Sequence, residues 1–285
     1  MNISVPPDRD ITGSQSVDRA LSLLSMVGRH AERGASLGGI VEESGLNKPT
    51  TRRLLLALIR AGLIEQDDLS RRYYLGEEAY VLGSLASRRF GLLQVSMESL
   101  LRLSKKTEDS SFLSVRREAV SVCLHREEGT YPVRTHALQA GFEHPLGAGA
   151  GSLAMLAALP DEEVEALLSA NAAVLSEKYP LLSPDRIRQD VAATRCNGYA
   201  LNPGLIIANS WGIGVVLRTP EGQVAGALSI AAIDSRMHEK RQTELAGYLL
   251  DEARIVEAKL GQIFASRHSG RASGSMWKRE RRLTR

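Results

Sequence analysis

The stretch Ser36–Gly62, SLGGIVEESGLNKPTTRRLLLALIRAG, decides the fold of the N-terminal part of the chain. It predicts two short helices joined by a tight turn. Ser36 suits the N-cap of the first helix, because its hydroxyl can accept a hydrogen bond from a free amide one turn further on. Gly45 can adopt the left-handed conformation that ends this helix. Asn47 suits the N-cap of the second helix, which we expect to end just before Gly62.

The second predicted helix carries leucines on one side and basic and hydroxyl side chains at its N-terminal end. Leu54, Leu55 and Leu58 have the spacing of a buried face. In helix-turn-helix proteins the N-terminal end of the second helix contacts base edges and phosphates, and Arg and Thr suit both kinds of contact. The predicted DNA-contacting residues of this helix are Lys48, Thr50, Thr51, Arg52 and Arg53. Two amphipathic helices with a glycine turn also occur in ordinary helical packing. The flanking segments therefore have to distinguish a DNA-binding motif from a simple helical hairpin.

The flanking segments favour DNA binding. Residues 16–30 predict a preceding amphipathic helix, because their apolar residues recur at helical spacing. Residues 63–75 predict two short strands around a polar turn at 67–70. A helix, a helix-turn-helix and a β-hairpin together make a winged helix-turn-helix. Arg71 and Arg72 then lie at the wing, where they could reach backbone phosphate or the minor groove.

Length and composition indicate a protein of about two domains, since the chain has 285 residues. No run reaches the roughly 18 apolar residues that a membrane span needs. The N-terminus, MNISVPPDRDITGSQ, lacks the apolar core of an export signal, so we expect a cytoplasmic protein. Cys123 and Cys196 are isolated and lack the spacing of zinc ligands, which favours reduced thiols over a disulfide or a metal site.

The charge is concentrated at the C-terminus. Residues 266–285 carry seven basic side chains and one acidic one, a charge of +6, so the rest of the chain carries −3 out of a total of +3. DNA affinity must therefore come from local patches. The Ser-, Gly- and Arg-rich tail is expected to be disordered. It either adds sequence-independent phosphate contacts or serves only as a solubilising end.

The rest of the chain predicts an α+β domain of the sensor type. Two helices, over 76–90 and 92–106, precede strands at 111–116, 119–125 and 132–138. The second half of 145–160 predicts a helix, and further helices follow at 161–170 and 184–196. Strands are then predicted at 211–217 and 223–232, and a closing helix at 238–264. The predicted organisation is a flexible arm (1–15), the winged domain (16–75), a linker helix (76–91), the α+β domain (92–265) and the basic tail (266–285).

Over residues 14–264 the chain resembles the IclR (isocitrate lyase regulator) family of bacterial transcription regulators. The resemblance is carried by the winged helix together with SVDRALSLL (16–24), PLGAGAGSLAMLAALP (145–160), GYAL (198–201) and PEGQVAGALSIAA (220–232). It implies a GAF-like or profilin-like C-terminal domain that binds a small organic effector, often a carboxylate. It also implies a dimer or tetramer acting on palindromic operators as a repressor or an activator. We predict that the linker helix transmits the effector signal.

The chain departs from the family pattern where the effector is expected to bind. Glycines replace polar residues at 147–151, Asn202 takes the usual acidic position, and Gly212 aligns with a common pocket cysteine. The resemblance implies an effector site formed by Leu146, Gly149, Ala150, Gly151, Asn202, Trp211, Gly212, Ser229 and Ala231. We expect a roomier, less polar pocket for a bulkier, partly apolar acid such as an aromatic catabolite, with the amides at 149–152 holding its carboxylate.

The sequence gives little support to a nucleotide-binding, catalytic or metal-binding function. The glycines at 147–151 do not complete a dinucleotide-binding GxGxxG pattern, because Ser152 stands at its last position. Cys123 and His125 could form a nucleophile–base pair but lack a third orienting group, and the histidines at 125, 136 and 144 have no metal-ligand spacing. An enzyme, and a sensor module that has lost DNA binding, remain the alternatives to a regulator. We predict no catalytic residue and no cofactor.

Overall fold

The computed structural model of the chain describes residues 14–30, 33–133 and 138–280, and for 87–90 and 266–280 it describes the backbone alone. It divides into two compact units, Met1–Arg89 and Phe90–Arg285. The predicted flexible arm lies almost entirely outside the described residues, as do 281–285 of the predicted tail and His136.

The first unit is the predicted winged helix-turn-helix. Its elements are α1 (Gln15–Arg29), α2 (Leu37–Ser44), α3 (Lys48–Arg60), the hairpin strands β1 (Ile64–Gln66) and β2 (Tyr73–Leu75), and α4 (Glu77–Phe90). A single apolar cluster holds α1, α2, α3 and the hairpin together, and Leu23, Ile40 and Leu55 lie at its centre.

The helix ends form as the sequence predicts. The hydroxyl of Ser36 accepts a hydrogen bond from the amide of Gly39 (3.1 Å). Gly45 has φ 64°, in the left-handed region that glycine tolerates without strain. The side-chain oxygen of Asn47 accepts from the amide of Thr50 (2.9 Å). The turn between α2 and α3 is thus fixed by local hydrogen bonds.

The second unit is an α+β domain built on one six-stranded antiparallel sheet of order β5-β4-β3-β8-β7-β6. Its strands are β3 (Ser110–Arg117), β4 (Val120–Glu127), β5 (Glu143–Pro145), β6 (Ala200–Pro203), β7 (Ser210–Arg218) and β8 (Val224–Ile233). Its helices are α5 (Leu92–Thr107), α6 (Ala150–Ala157), α7 (Asp161–Lys178), α8 (Pro184–Asn197) and α9 (Glu239–Glu280), with a 3-10 turn at Asp234–Arg236.

The two faces of the sheet pack on different helices, because side chains alternate along each strand. On β8, Leu228 and Ile230 belong to the apolar core shared with α5 and α9. Ala227 belongs to the core shared with α6, α7 and α8. Ser229 and Ala231 point to that second face, where they meet the beginning of α6.

Several predicted elements differ from the structure. Tyr131–Val133 form no strand, 134–137 lie outside the described residues, and the strand that follows β4 is β5. The GYAL motif is a turn at Gly198 that leads straight into β6. Helix α7 extends eight residues beyond the predicted end, to Lys178, because no proline or glycine interrupts it before Pro180.

The C-terminal helix α9 is also longer than predicted. It continues to Glu280, through most of the segment predicted to be disordered, and no proline lies in that segment to stop it. Among the described residues, no helix combines the length and the apolar character that crossing a membrane requires.

Candidate functional site

Helix α3 presents a basic surface at its N-terminal end. The side chains of Lys48, Arg52 and Arg53 are exposed, and none forms a hydrogen bond or an ion pair within the described part of the chain. Thr50 is half-buried beside them, with its amide bound to the Asn47 cap. Cations that are not neutralised internally remain available for phosphates and base edges.

Thr51 does not belong to this surface, although the sequence placed it there. Its side chain is fully buried, and its hydroxyl donates to the backbone carbonyl of Asn47 (3.1 Å). Helical geometry explains the correction, because position 51 lies on the same side as Leu54, Leu55 and Leu58, which form the buried stripe. Thr51 therefore packs in the domain core.

The exposed face of α3 continues past the residues that were predicted. Leu56 is 47% exposed and Arg60 is exposed, and both follow Arg52 at intervals of four residues. An apolar side chain among basic ones suits contact with a thymine methyl group. The sequence shows the four-residue spacing, but it does not distinguish the exposed Leu56 from the buried leucines beside it, so the prediction missed it.

The wing is a tight turn with a rigid base. The carboxylate of Asp67 accepts from the amide (2.7 Å) and the hydroxyl (2.6 Å) of Ser70, and the hydroxyl contact is the main reason that the pKa of Asp67 is lowered. Leu69 at the tip is 96% exposed. Arg71 stands at φ 57° with its guanidinium 3.9 Å from Asp68.

Arg72 serves partly as a structural tie. Its guanidinium donates to the carbonyl of Gly34 (2.8 Å), which attaches the wing to the segment before α2. Both wing arginines are exposed. Since one donor of Arg72 is already engaged, Arg71 is the freer of the two for contact with a phosphate.

A pocket of about 610 Å³, counting its open mouth, lies on the α6 side of the sheet in the second unit. Eight of the nine residues predicted for the effector site line it: Gly149, Ala150, Gly151, Asn202, Trp211, Gly212, Ser229 and Ala231. Leu146 does not line it, because its side chain is fully buried in the core formed with α6, α7 and α8.

The glycines of this region bring α6 close to the sheet and do not leave empty space. A Cβ on Gly212 would lie 3.2 Å from the Cβ of Ala150, and one on Gly151 would lie 3.2 Å from the hydroxyl of Ser229. Gly149, with φ 91°, makes the turn into the helix. At these positions the missing side chains give room to α6 and Ser229, so the glycines do not by themselves enlarge the pocket.

The accessible lining of the pocket is mainly apolar, and several polar side chains that had not been predicted also contribute to it. The structure adds four buried serines and a histidine to the lining, together with apolar residues such as Phe112 and Ile206. The added polar residues are Ser114, Ser121, Ser152, Ser210 and His144. Apart from Ser152 on α6, their positions depend on strand pairing across the sheet, which no local motif signals.

Hydrogen-bond donors converge at the beginning of α6. Within the described residues, the amides of Ala150, Gly151 and Ser152 have no acceptor, as expected for the first turn of a helix. Two buried side chains that line the same pocket, the Ser229 hydroxyl and the Asn202 amide nitrogen, likewise have no partner there. These groups suit an anion, which a helix N-terminus also favours electrostatically.

His144 lies at the β5 end of the pocket. Its Nδ1 is 2.7 Å from the hydroxyl of Tyr179, and burial lowers its pKa, which favours the neutral imidazole. On the neighbouring strand, Ser121 is its direct cross-strand partner. The sequence marked His144 only as an isolated histidine.

The Cys123–His125 pair does not exist as a nucleophile and base. The thiol of Cys123 contacts the backbone carbonyl of His125 (3.4 Å), and burial raises the pKa of the thiol to about 12. The imidazole of His125 lies 3.2 Å from the carboxylate of Glu127 instead. No cluster of potential metal ligands occurs in the described portion of the chain.

Comparison with known proteins gives matches over both units. The family model for the IclR helix-turn-helix domain matches residues 16–68, and the model for the bacterial transcriptional regulator IclR C-terminal domain matches residues 85–258. The transcriptional repressor IclR of Escherichia coli K12 is 24% identical over 249 residues, covering 87% of this chain and 90% of its own. A probable HTH-type regulator, ArcR of Halobacterium salinarum, is 27% identical and covers 86% and 93%.

Solved structures share the fold. A putative IclR transcriptional regulator from Silicibacter sp. TM1040 superposes with a TM-score of 0.72 at 27% identity, covering 86% of this chain and 96% of its own. An IclR homolog from Microbacterium hydrocarbonoxydans, solved in complex with 4-hydroxybenzoate, has a TM-score of 0.69 at 23% identity, covering 86% and 98%.

Proposed function

The chain belongs to the IclR family of bacterial transcription regulators, with a helix-turn-helix DNA-binding domain and a C-terminal effector domain, and we propose how each domain acts. The first binds a palindromic operator through α3 and the wing. The second binds a small organic acid of the aromatic or similarly bulky class. The matched families and relatives are transcription regulators and not enzymes.

The observation that carries the DNA-binding proposal is the basic end of α3. Lys48, Arg52 and Arg53 are exposed together and are not neutralised by acidic side chains in the described residues. A sensor module that had lost DNA binding would have no reason to keep three such cations at the recognition end of a helix-turn-helix. Thr50 and Arg71 complete the proposed contact surface, and Arg72 contributes with its remaining donors.

We propose that the protein acts as a homodimer or tetramer. Two recognition helices would then read two half-sites about one helical turn, roughly 34 Å, apart. Support comes from α4, whose large apolar side chains Tyr80, Leu82 and Leu85 are exposed within the first unit. A second copy would cover this apolar surface, which a lone domain leaves in water.

The proposed effector is a carboxylic acid whose carboxylate meets the beginning of α6. The unpartnered amides of Ala150, Gly151 and Ser152 supply donors, and Ser229 and Asn202 supply two more. The pocket has lining residues from all six strands, and Phe112, Ile206 and Trp211 give it apolar walls. An elongated, partly apolar pocket favours a larger acid than glyoxylate or pyruvate. The 4-hydroxybenzoate bound to the Microbacterium homolog belongs to the favoured class.

Effector binding then has to change DNA affinity, which requires that the effector bind one arrangement of the protein more tightly than another. We propose that α4 with Gly76 transmits this difference. Both repression and activation are compatible with such a mechanism.

The DNA-binding proposal is tested by fluorescence anisotropy with DNA from upstream of the chain's own gene. Arg52→Ala and Arg53→Ala should each weaken binding, by about 1–3 kcal/mol and with relaxed specificity where the arginine reads a base. The matched control is Arg254→Ala on α9, an exposed arginine whose salt bridge to Asp251 lies on the surface. Unchanged affinity in both α3 variants would refute the proposal.

The effector class is tested by calorimetric titration of the full chain with glyoxylate, pyruvate, benzoate and 4-hydroxybenzoate. We expect the aromatic acids to bind more tightly. Tighter binding of the two- and three-carbon keto acids would contradict the proposed class.

A further inference from the structure

We propose that His144, held by Tyr179, is a second polar anchor of the effector pocket, and that it recognises a hydroxyl group on the part of the effector remote from the carboxylate. This inference rests on the proposed function, because it assigns a specificity-determining residue to the same pocket. It defines the ligand class more narrowly, as hydroxylated bulky acids.

The polar groups of the pocket lie at two separate places. The first turn of α6 rests on β7 and β8, where Gly212 and Ser229 contact it. His144 and its cross-strand partner Ser121 lie on β5 and β4, at the other edge of the sheet. Two or three strand spacings separate β8 from these strands, about 10–14 Å. A ligand that uses both places must carry polar groups at both ends and an apolar body between them.

One nitrogen of His144 remains available to the ligand. Nδ1 is engaged with the Tyr179 hydroxyl at 2.7 Å, and the two rings meet edge to face with centroids 5.9 Å apart. Nε2 has no hydrogen-bond partner within the described residues, although His144 lines the pocket. A ligand in the pocket can therefore supply the hydrogen-bond partner of Nε2.

The chemistry of this pair selects a hydroxyl. Burial lowers the pKa of His144 and raises that of Tyr179, so the imidazole and the phenol both stay neutral. A neutral imidazole has one donor and one acceptor nitrogen, and the direction of the Tyr179 hydrogen bond decides which one Nε2 is. A hydroxyl group can pair with either form. A carboxylate or a ketone can only accept, so it pairs only with the form that carries the proton on Nε2, and a neutral imidazole offers a carboxylate no opposite charge.

Ser121 adds a second hydrogen-bonding group at the same place. It stands directly opposite His144 in the β4–β5 pair, so the two Cβ atoms lie about 4.5–5.5 Å apart on the same face. Ser121 is a buried residue that lines the pocket, and its hydroxyl forms no hydrogen bond among the described residues. A ligand hydroxyl between the two could accept from one and donate to the other.

The test is calorimetric titration of the full chain with matched pairs of acids that differ by one hydroxyl: benzoate and 4-hydroxybenzoate, phenylacetate and 4-hydroxyphenylacetate, cinnamate and 4-hydroxycinnamate. We expect the wild type to favour the hydroxylated member of at least one pair by about three- to tenfold, the value of one net hydrogen bond. The pair with the largest ratio reports the distance between the two anchors.

His144→Phe should remove this preference while retaining the binding of the unhydroxylated acid. The matched control is His125→Phe, a histidine of β4 that does not line the pocket, and it should keep the preference. Tyr179→Phe provides a second variant should His144→Phe fail to fold, and we expect it to reduce the ratio. As a separate measurement, the 15N NMR signal of His144 Nε2 should shift with the hydroxylated acid and not with its partner.

The outcomes separate this inference from the proposed function. Equal affinity within every pair, or a preference that survives in His144→Phe, would overturn the role of His144 while leaving the acid-binding pocket intact. Failure of the wild type to bind any aromatic acid would overturn the proposed effector class and this inference with it.

Discussion

A Cβ atom built on Gly214 would lie 2.9 Å from both the carbonyl carbon and the carbonyl oxygen of Ala150. Strand β7 and the first residue of α6 are therefore in backbone contact, with no side chain between them. This contact sets the height of the α6 amides above the sheet, and with it the depth of the pocket.

Gly214→Ala should consequently destabilise the second unit. A methyl group has no room there, and the obstacle is backbone, so we expect a loss of about 1–3 kcal/mol in the free energy of unfolding. Effector affinity should fall as well, because α6 has to move. Urea denaturation and calorimetry measure both. Gly247→Ala is the control, since nothing lies within 4 Å of a Cβ at that position in α9, and it should stabilise the helix.

Thr51→Val should separate stability from DNA binding. The substitution removes a buried hydroxyl that donates to Asn47, so we expect a loss of roughly 1 kcal/mol in stability. The affinity of folded protein for DNA should remain unchanged, because the side chain does not reach the surface. An anisotropy titration at a temperature well below unfolding checks this. A loss as large as that of Arg52→Ala would contradict the buried position.

Asp109→Ala should be strongly destabilising. The buried carboxylate of Asp109 binds Arg236 (2.9 Å) and Arg241 (3.0 Å), which ties the beginning of β3 to the segment that leads into α9. Removing it takes the buried carboxylate from two arginines, which keep the carbonyl of Thr107 as an acceptor, and we expect a cost of about 3–5 kcal/mol. Asp251→Ala is the control, because Asp251 pairs with Arg254 on the surface. It should change the free energy of unfolding by less than about 1 kcal/mol. Similar effects in both variants would argue against a buried cluster.

Stability should depend on pH through His144. Burial lowers the pKa of His144 below its usual 6.5, so the unfolded chain binds the proton more readily than the folded one. This contribution is fully present above pH 6.5 and is lost as the pH falls through the lowered pKa. Denaturation midpoints measured between pH 7.5 and 5 should decline, and less steeply in His144→Phe. An identical slope in the variant would assign the pH dependence to other groups.

The sequence alone determined the elements whose signals are local. The caps at Ser36, Gly45 and Asn47 fixed the helix-turn-helix, because each acts within one turn of its own residue. Resemblance to a family located eight of the nine residues predicted to line the pocket, three of them in the motif at 145–154. Helical spacing was sufficient to predict that basic side chains gather at the N-terminal end of α3.

Only the tertiary structure decided which way particular side chains point and which distant residues meet. Thr51 turned inward because the domain core lies on that side of α3. Asp109 meets Arg236 across 127 positions of sequence, and His144 meets Tyr179 across 35. Strand pairing set Ser121 beside His144 and spread the pocket across six strands. Such contacts depend on register and burial over the whole domain, and a local pattern carries no information about them.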